Sequence, residues 1–312
     1  MAESLVSLPS FARLSERVWR VLGLNPGNFT LQGTNTYLLG IGPQKLLIDC
    51  GQGIPGYVPL LEESLKQISP DAYISDIIIT HAHPDHFGGV KDVLGSGLLN
   101  KNNRIMVHKY PGQMRMPKSS GQVRLFPEDI PVADLHDNQV FRTDSITLKV
   151  IHTPGHTRDH CAFWLEEENS IFTADCVLGH GTVVFEDLSS YLSSLRKMLA
   201  LNPKRLYPGH GAVVEDGISK IKEYIQHREA REEQIVGILR SSDSKYWTSK
   251  DIVEKIYIGL PETVFFAACR GIILHLLKLE KDGVVRMAEG PSGDADLQDL
   301  VDNRWQWVGS NL

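Results

Sequence analysis

The run Thr80-His81-Ala82-His83-Pro84-Asp85-His86-Phe87-Gly88-Gly89 closes the strand-like segment 76–80 with three imidazoles and a carboxylate in quick succession. Neutral imidazole nitrogen is a common zinc ligand, and carboxylate oxygen is a second suitable donor. His81 and His83 are two apart, so on an extended chain both turn to the same side. Asp85 and His86 follow Pro84 into a helical turn and leave the chain at a different angle. One short loop can thereby serve two cation positions about 3.5–4 Å apart. A surface histidine cluster is the competing reading, and the ordered HxHxDH spacing argues against it.

A pair of metals needs further donors, and other strand ends supply them. Thr153-Pro154-Gly155-His156-Thr157 places a histidine in a turn after the strand-like segment 146–152. Thr173-Ala174-Asp175 ends the segment beginning at Ile171 with a carboxylate, and Tyr207-Pro208-Gly209-His210-Gly211 follows a short strand at 205–207. One Pro-Gly-His turn alone is commonly just a turn. Each of these groups, however, sits at the C-terminal end of an apolar strand, where sites on layered α/β folds gather.

Strand-like segments at 18–22, 36–40, 45–49, 76–80, 104–108, 146–152, 161–165 and 171–175 alternate with helical spacing at 58–68 and 189–201. This order predicts a layered α/β domain, with mixed sheets covered by helices, over residues 1–214. Residues 215–312 read differently. A long polar helix at 218–240 leads to helices at 248–256 and 261–281, then a turn and a strand at 283–287, the order of a winged-helix-like module. Residues 109–121 read as an insertion, the segment near Gly290 as a loop, and the tail after Pro291 as acidic.

With 312 residues and 42% hydrophobic content, the chain can bury a full core. Its formal charge is −6, from 32 Lys plus Arg against 38 Asp plus Glu, which disfavours a polyanion bound through a global field. Cys50, Cys161, Cys176 and Cys269 form no CxxC pair and read as reduced thiols of a core or pocket. No apolar run reaches the roughly 20 residues of a membrane span, and the first residues lack a secretory pattern. The expectation is a cytoplasmic protein that inserts in no membrane, with mitochondrial import as the alternative.

The ordered set HAHPDH, TPGHT, TAD and PGHG resembles the metallo-β-lactamase superfamily over about residues 14–214. The resemblance implies an αββα sandwich with a dinuclear site holding two zinc ions, manganese being the alternative. It assigns His81, His83 and His156 to the first metal, Asp85, His86 and His210 to the second, and Asp175 to the bridge between them. Asp49 matches a buried aspartate that supports the ligand loop. Hydrolysis then proceeds by attack of a metal-bound hydroxide, with Asp85 managing its proton. His160 is the candidate that contacts substrate or protonates the leaving group, a bond to loop backbone being its plainer role. His180, Thr34, Asn35, Phe265 and Phe266 pose the same choice between site and scaffold.

Three further segments narrow the resemblance: residues 22–37, His156-Thr157-Arg158-Asp159-His160, and Leu178-Gly179-His180-Gly181-Thr182. They look like the β-lactamase-like subgroup, which contains animal mitochondrial single-strand endoribonucleases and fungal thioesterases that release aromatic polyketides from an acyl carrier protein. The chain departs from many members in having Ala82 where an aromatic residue follows the first histidine. The preferred expectation is a thioesterase acting on an acyl-thioester or carrier-bound chain, because the net charge, the balanced C-terminal module and the acidic tail disfavour RNA. An endoribonuclease acting on single-stranded RNA is the alternative. A non-catalytic metal binder would lack ligands, and none of the seven is missing. β-Lactam hydrolysis is disfavoured without an export signal.

Overall fold

The computed structural model describes residues 5–100, 104–112, 126–241, 245–288 and 296–309. Two sheets form the first of two compact units. β1 (Phe11–Arg13), β2 (Val18–Leu22), β3 (Asn35–Leu39), β4 (Gln44–Ile48), β5 (Tyr73–Ile79), β6 (Met106–Lys109) and β7 (Val132–Asp134) lie side by side in chain order. Pairing is antiparallel from β1 to β4 and parallel from β4 to β7. The second sheet runs β12 (Arg205–Pro208), β11 (Ser170–Ala174), β10 (Cys161–Leu165), β9 (Thr147–His152) and β8 (Val140–Arg142), parallel only between β11 and β12.

Alternation along β2 to β5 gives the first sheet two apolar faces. Val18, Tyr37, Leu39, Leu46, Ile48 and Ile78 point into a core shared with Leu148, Val150, Phe163, Phe172 and Tyr207 of the second sheet. Trp19, Val21, Leu38, Leu47, Ile77 and Ile79 face the opposite way. They pack on Tyr57, Leu61 and Leu65 of α1 (Tyr57–Ile68), Phe87 of α2 (Pro84–Phe87), and Val90 and Val93 of α3 (Val90–Gly95). A strand buried on both faces reads as a continuous apolar run, which is why β2 to β5 stood out in sequence. α4 (Leu188–Leu199) buries Tyr191, Leu192, Leu195 and Met198, and Ser194 donates to the Pro154 carbonyl at 2.7 Å, so the helix lies by the second sheet. The result is the layered αββα arrangement.

α5 (Gly217–Leu239) carries the chain out of this unit, which reaches to Lys222. Apart from residues 186–189, the described part of the second unit begins at Glu223, within α5 rather than at residue 215. Its core joins Ile235 and Leu239 to Ile252 and Val253 of α6 (Ser249–Ile256) and to Ile272, Ile273 and Leu276 of α7 (Glu262–Lys281). α6 starts on a reciprocal cap, Thr248 and Asp251 each bonding the other's backbone N–H. β13 (Val285–Met287) pairs with β14 (Trp305–Trp307).

Four strands went unread: β1, β7, β8 and β14, each three residues long and too short to show a period. β14 lay in what read as an acidic tail, yet Trp305 is wholly buried and exchanges backbone bonds of 2.8 and 2.9 Å with Trp247. Phe265 packs against this core whereas Phe266 is 68% exposed, so only the first serves the scaffold. All four cysteines are buried free thiols. Residues 113–121 of the expected insertion, and Gly290 with the start of the tail, lie outside the described residues. No helix among the described residues is long and apolar enough to cross a membrane.

Replacing Trp305 by Ala removes the largest fully buried side chain of this second core. The expected loss is about 3–5 kcal/mol, measured as an earlier denaturant transition for the C-terminal unit. An unshifted transition would place β14 outside the core.

Candidate metal centre

Strand ends deliver the site. Ile48 of β4 pairs with Ile78 of parallel β5, so the residues just past them, Asp49 and Thr80, emerge as neighbours. Ala174 of β11 pairs with Pro208 of β12, which sets Asp175 beside the His210 turn. Two backbone bonds tie the sheets together there: Cys161 N–H to the Thr80 carbonyl at 2.8 Å, and Asn35 N–H to the Gly209 carbonyl at 2.7 Å.

Two donor groups result. His81, His83, His156 and Asp175 form one, and Asp85, His86 and His210 the other, each spanning no more than 4.8 Å. Asp175 faces both. Its Oδ2 lies 3.9 Å from His81 Nε2 and 3.6 Å from His156 Nε2, while Oδ1 lies 3.3 Å from both His86 Nε2 and His210 Nε2. One carboxylate thus offers an oxygen to each group, the placement a bridging ligand requires.

Hydrogen bonds behind the rings decide which nitrogen faces inward. Asp49, 1% exposed, accepts from Thr80 N–H and Thr80 Oγ1 at 2.9 Å each and from His86 Nδ1 at 2.7 Å. Thr80 spends its proton on Asp49, so the 2.9 Å contact with His81 Nδ1 has His81 as donor. His156 Nδ1 donates to the Val184 carbonyl at 2.6 Å. These three histidines therefore turn an Nε2 lone pair inward, the state a cation binds. His81 Nε2 and His156 Nε2 both approach His83 Nδ1, at 2.8 and 3.0 Å, so three ring nitrogens converge with at most one proton among them. His86 Nε2 and Asp175 Oδ1 are buried without a hydrogen-bond partner. A divalent cation in each group satisfies these atoms, and the donor set fits two.

The charge pattern agrees. Burial, reinforced by neighbouring imidazoles, holds His81 well below the ordinary histidine value and His83 down to about 4, and burial also lowers His156, so the three imidazoles of this group are neutral. In the other group burial is outweighed: Asp85 and Asp175 lift His86 well above its usual value, and Asp175 lifts His210 to about 9. Despite burial, His86 lowers Asp85, and His210 with His86 lowers Asp175. Two ionised carboxylates in a buried setting demand positive charge at this point.

Glycine makes the closeness possible. A Cβ on Gly209 would stand 2.4 Å from Asp175 Oδ1 and 3.0 Å from His86 Cε1. One on Gly155, at φ +133°, would meet the Tyr191 backbone at 2.4 Å. The glycines of both Pro-Gly-His turns are thus steric requirements of the site.

His160 belongs to neither donor group. It is 0% exposed, its ring 5.2 Å from that of His81, with Nδ1 2.8 Å from Thr153 Oγ1. Burial drives its pKa well below the histidine norm. That burial and the bond to Thr153 suit the plainer of its two expected roles, holding the loop. His160 closes the turn bearing His156, together with the buried ion pair of Lys109 and Asp159 at 2.9 Å. Asn35 is likewise scaffold, its Nδ2 donating to the Pro208 and Gly211 carbonyls at 2.9 Å. Thr34 does reach the site, its hydroxyl 3.2 Å from Asp85 Oδ2. Sequence reasoning passed over the Thr80 hydroxyl and the Val184 carbonyl. Thr80 stood inside the diagnostic run, whereas a backbone carbonyl leaves no trace in sequence.

Comparison with known proteins gives the same outline. A family model for the metallo-beta-lactamase superfamily matches residues 29–210, and one for a beta-lactamase associated winged helix domain matches residues 248–294. Over 283 residues the chain is 42% identical to a beta-lactamase-like protein 2 homolog of Drosophila melanogaster, covering 90% of this chain and 94% of the other. Over 300 residues it is 37% identical to lactamase-like protein adaB of Aspergillus niger, covering 93% and 88%. A beta-lactamase domain protein from Burkholderia ambifaria shares the fold at a TM-score of 0.76 and 20% identity, over 97% of this chain and 95% of that one.

Elemental analysis of gently purified protein should find close to two divalent metals per chain. Asp175→Asn keeps the shape but loses the charge on the bridge, so one metal should be lost and kcat should fall at least about a hundredfold. Gly209→Ala should also lower metal content, by pushing Asp175 aside. Two retained metals and near-parental activity in both variants would show that Asp175 bridges nothing.

Proposed function

This chain belongs to the metallo-beta-lactamase superfamily, and we propose that it is a hydrolase using two zinc ions to cleave an acyl thioester, releasing an acyl or polyketide chain from an acyl carrier protein. The observation that carries the hydrolase reading is Asp175, with one oxygen toward each group of inward-facing imidazoles. Nitrogen and carboxylate donors without thiolate suit zinc. Bound there, a metal pair acidifies water and polarises the substrate oxygen.

The chain's own residues do the rest. Asp49 and the Val184 carbonyl hold three rings in their ligating tautomers, so little reorganisation is needed when a substrate arrives. Asp85 is the reachable acid, its side chain 20% exposed, with Oδ2 within 3.4 Å of His86 Nε2 and 3.2 Å of His210 Nε2. It accepts the proton of the attacking water. No serine or cysteine nucleophile is required. The four buried thiols suit a reducing compartment, and we place the protein in the cytosol.

Similarity to both an animal and a fungal relative does not separate a thioester from RNA as substrate. Charge favours the thioester: the chain carries −6 overall, and a polyanion is normally met by a basic surface.

Thioester hydrolysis should change little between about 50 and 200 mM salt, a range over which 6–10 phosphate contacts would cost roughly 10³–10⁵ in affinity. His83→Ala should abolish it, and activity surviving in that variant would indicate a contaminant. Single-stranded RNA cleavage that requires His83, with no thioester turnover by the parent protein, would overturn the substrate and leave the metal centre standing.

A further inference from the structure

Between Asp175 and α4 the chain crosses from one donor group to the other. Gly179 N–H donates to the His210 carbonyl at 2.9 Å. Five residues on, the Val184 carbonyl accepts from His156 Nδ1 at 2.6 Å. The first anchor is fitted closely, since a Cβ on Gly179 would stand 2.1 Å from the Ala212 carbonyl oxygen. Residues 179–184 therefore form an arch with one foot on each half of the centre, and it begins four residues after the bridging carboxylate.

What the arch turns outward is specific. Gly181, at φ +71°, reverses the chain with open space where a Cβ would be. Thr182 is exposed and Val184 is 50% exposed. His180 is half-buried, and its side chain makes no hydrogen bond among the described residues. From Cys176 to Phe185 there is no lysine or arginine, and residues 24–33, which lead to Thr34 beside Asp85, contain no charged residue at all. Both segments that adjoin the donor groups are thus neutral and partly apolar. The charge-assisted contacts that give a polyanion most of its affinity come from Lys and Arg, and neither segment offers one.

We propose that residues 179–184 are the substrate-contacting wall of this centre, and that His180 hydrogen-bonds an uncharged polar group of the substrate while Val184 covers an apolar part. This rests on the hydrolase reading above and narrows its substrate to an uncharged acyl chain or carrier arm at this wall. Of the two histidines that sequence left open between site and scaffold, His180 takes the substrate-facing part. It is presented by an arch anchored on two ligand residues; His160 is wholly buried. The same arch fixes the His156 tautomer, so the wall and the ligand move together.

Metal content and steady-state kinetics of two variants test the proposal: His180→Ala and His180→Gln. His180→Ala should keep two metals per chain and lose about tenfold in kcat/KM, the worth of one hydrogen bond. His180→Gln keeps a donor and should recover most of that loss. Loss of a metal in His180→Ala would make His180 a structural residue and overturn the proposal. Unchanged kinetics in that variant would do the same. Failure of the hydrolase reading looks different, since the parent protein with two metals would then turn over neither thioester nor RNA.

Discussion

Asp49 is a carboxylate 1% exposed, held in left-handed backbone at φ +60°, with every oxygen committed to Thr80 or His86. Burial pushes its pKa up, and the bonds from His86 and Thr80 pull it back. An unpaired carboxylate here would be costly, so the residues around it are not free to drift. Through Thr80 it fixes His81, and directly it fixes His86, so one buried acid orients a ligand of each donor group. A conformation rarely taken by a non-glycine residue is retained where the surrounding bonds over-determine it.

That constraint is transmitted by close backbone packing. A Cβ on Gly89 would stand 2.2 Å from the Cys50 carbonyl oxygen, and one on Gly88 would lie 2.7 Å from that of Gln52. The ligand loop therefore nests against the turn that carries Asp49. On the far side Asn35 clamps the His210 turn through two carbonyls, and Lys109 with Asp159 braces the His156 turn. The ligand loop, the His156 turn and the His210 turn are thus braced by different segments of the chain. The centre is accordingly a property of two joined sheets rather than of any loop.

The electrostatics divide the centre into a neutral half and a charged half. His81, His83 and His156 are kept neutral by burial and by each other. His86 and His210 are drawn toward the charged form by Asp85 and Asp175. Charge is concentrated inward, on Asp85, His86, Asp175 and His210, while the adjoining arch and residues 24–33 carry no cation. A site so arranged suits cations and offers little to a polyanion at those two segments.

Much of this was legible in residue order. The HxHxDH run and the two Pro-Gly-His turns named the donors, because ligand chemistry admits few residue types and strand ends are marked by where apolar runs stop. The layered fold was legible for a related reason: strands buried on both faces are continuously apolar, and the longer helices show their period. Four of the five three-residue strands were not legible, since a period cannot appear in so short a run, and β14 was hidden among acidic residues. Sequence favoured His160 over His180 as a substrate contact, but it could not show that His160 is wholly buried whereas His180 is only half-buried, since burial depends on what packs around each turn. Residue types fix which atoms can bind a cation. Which of those atoms face inward is decided by hydrogen bonds between segments distant in the chain, which exist only once both sheets have closed.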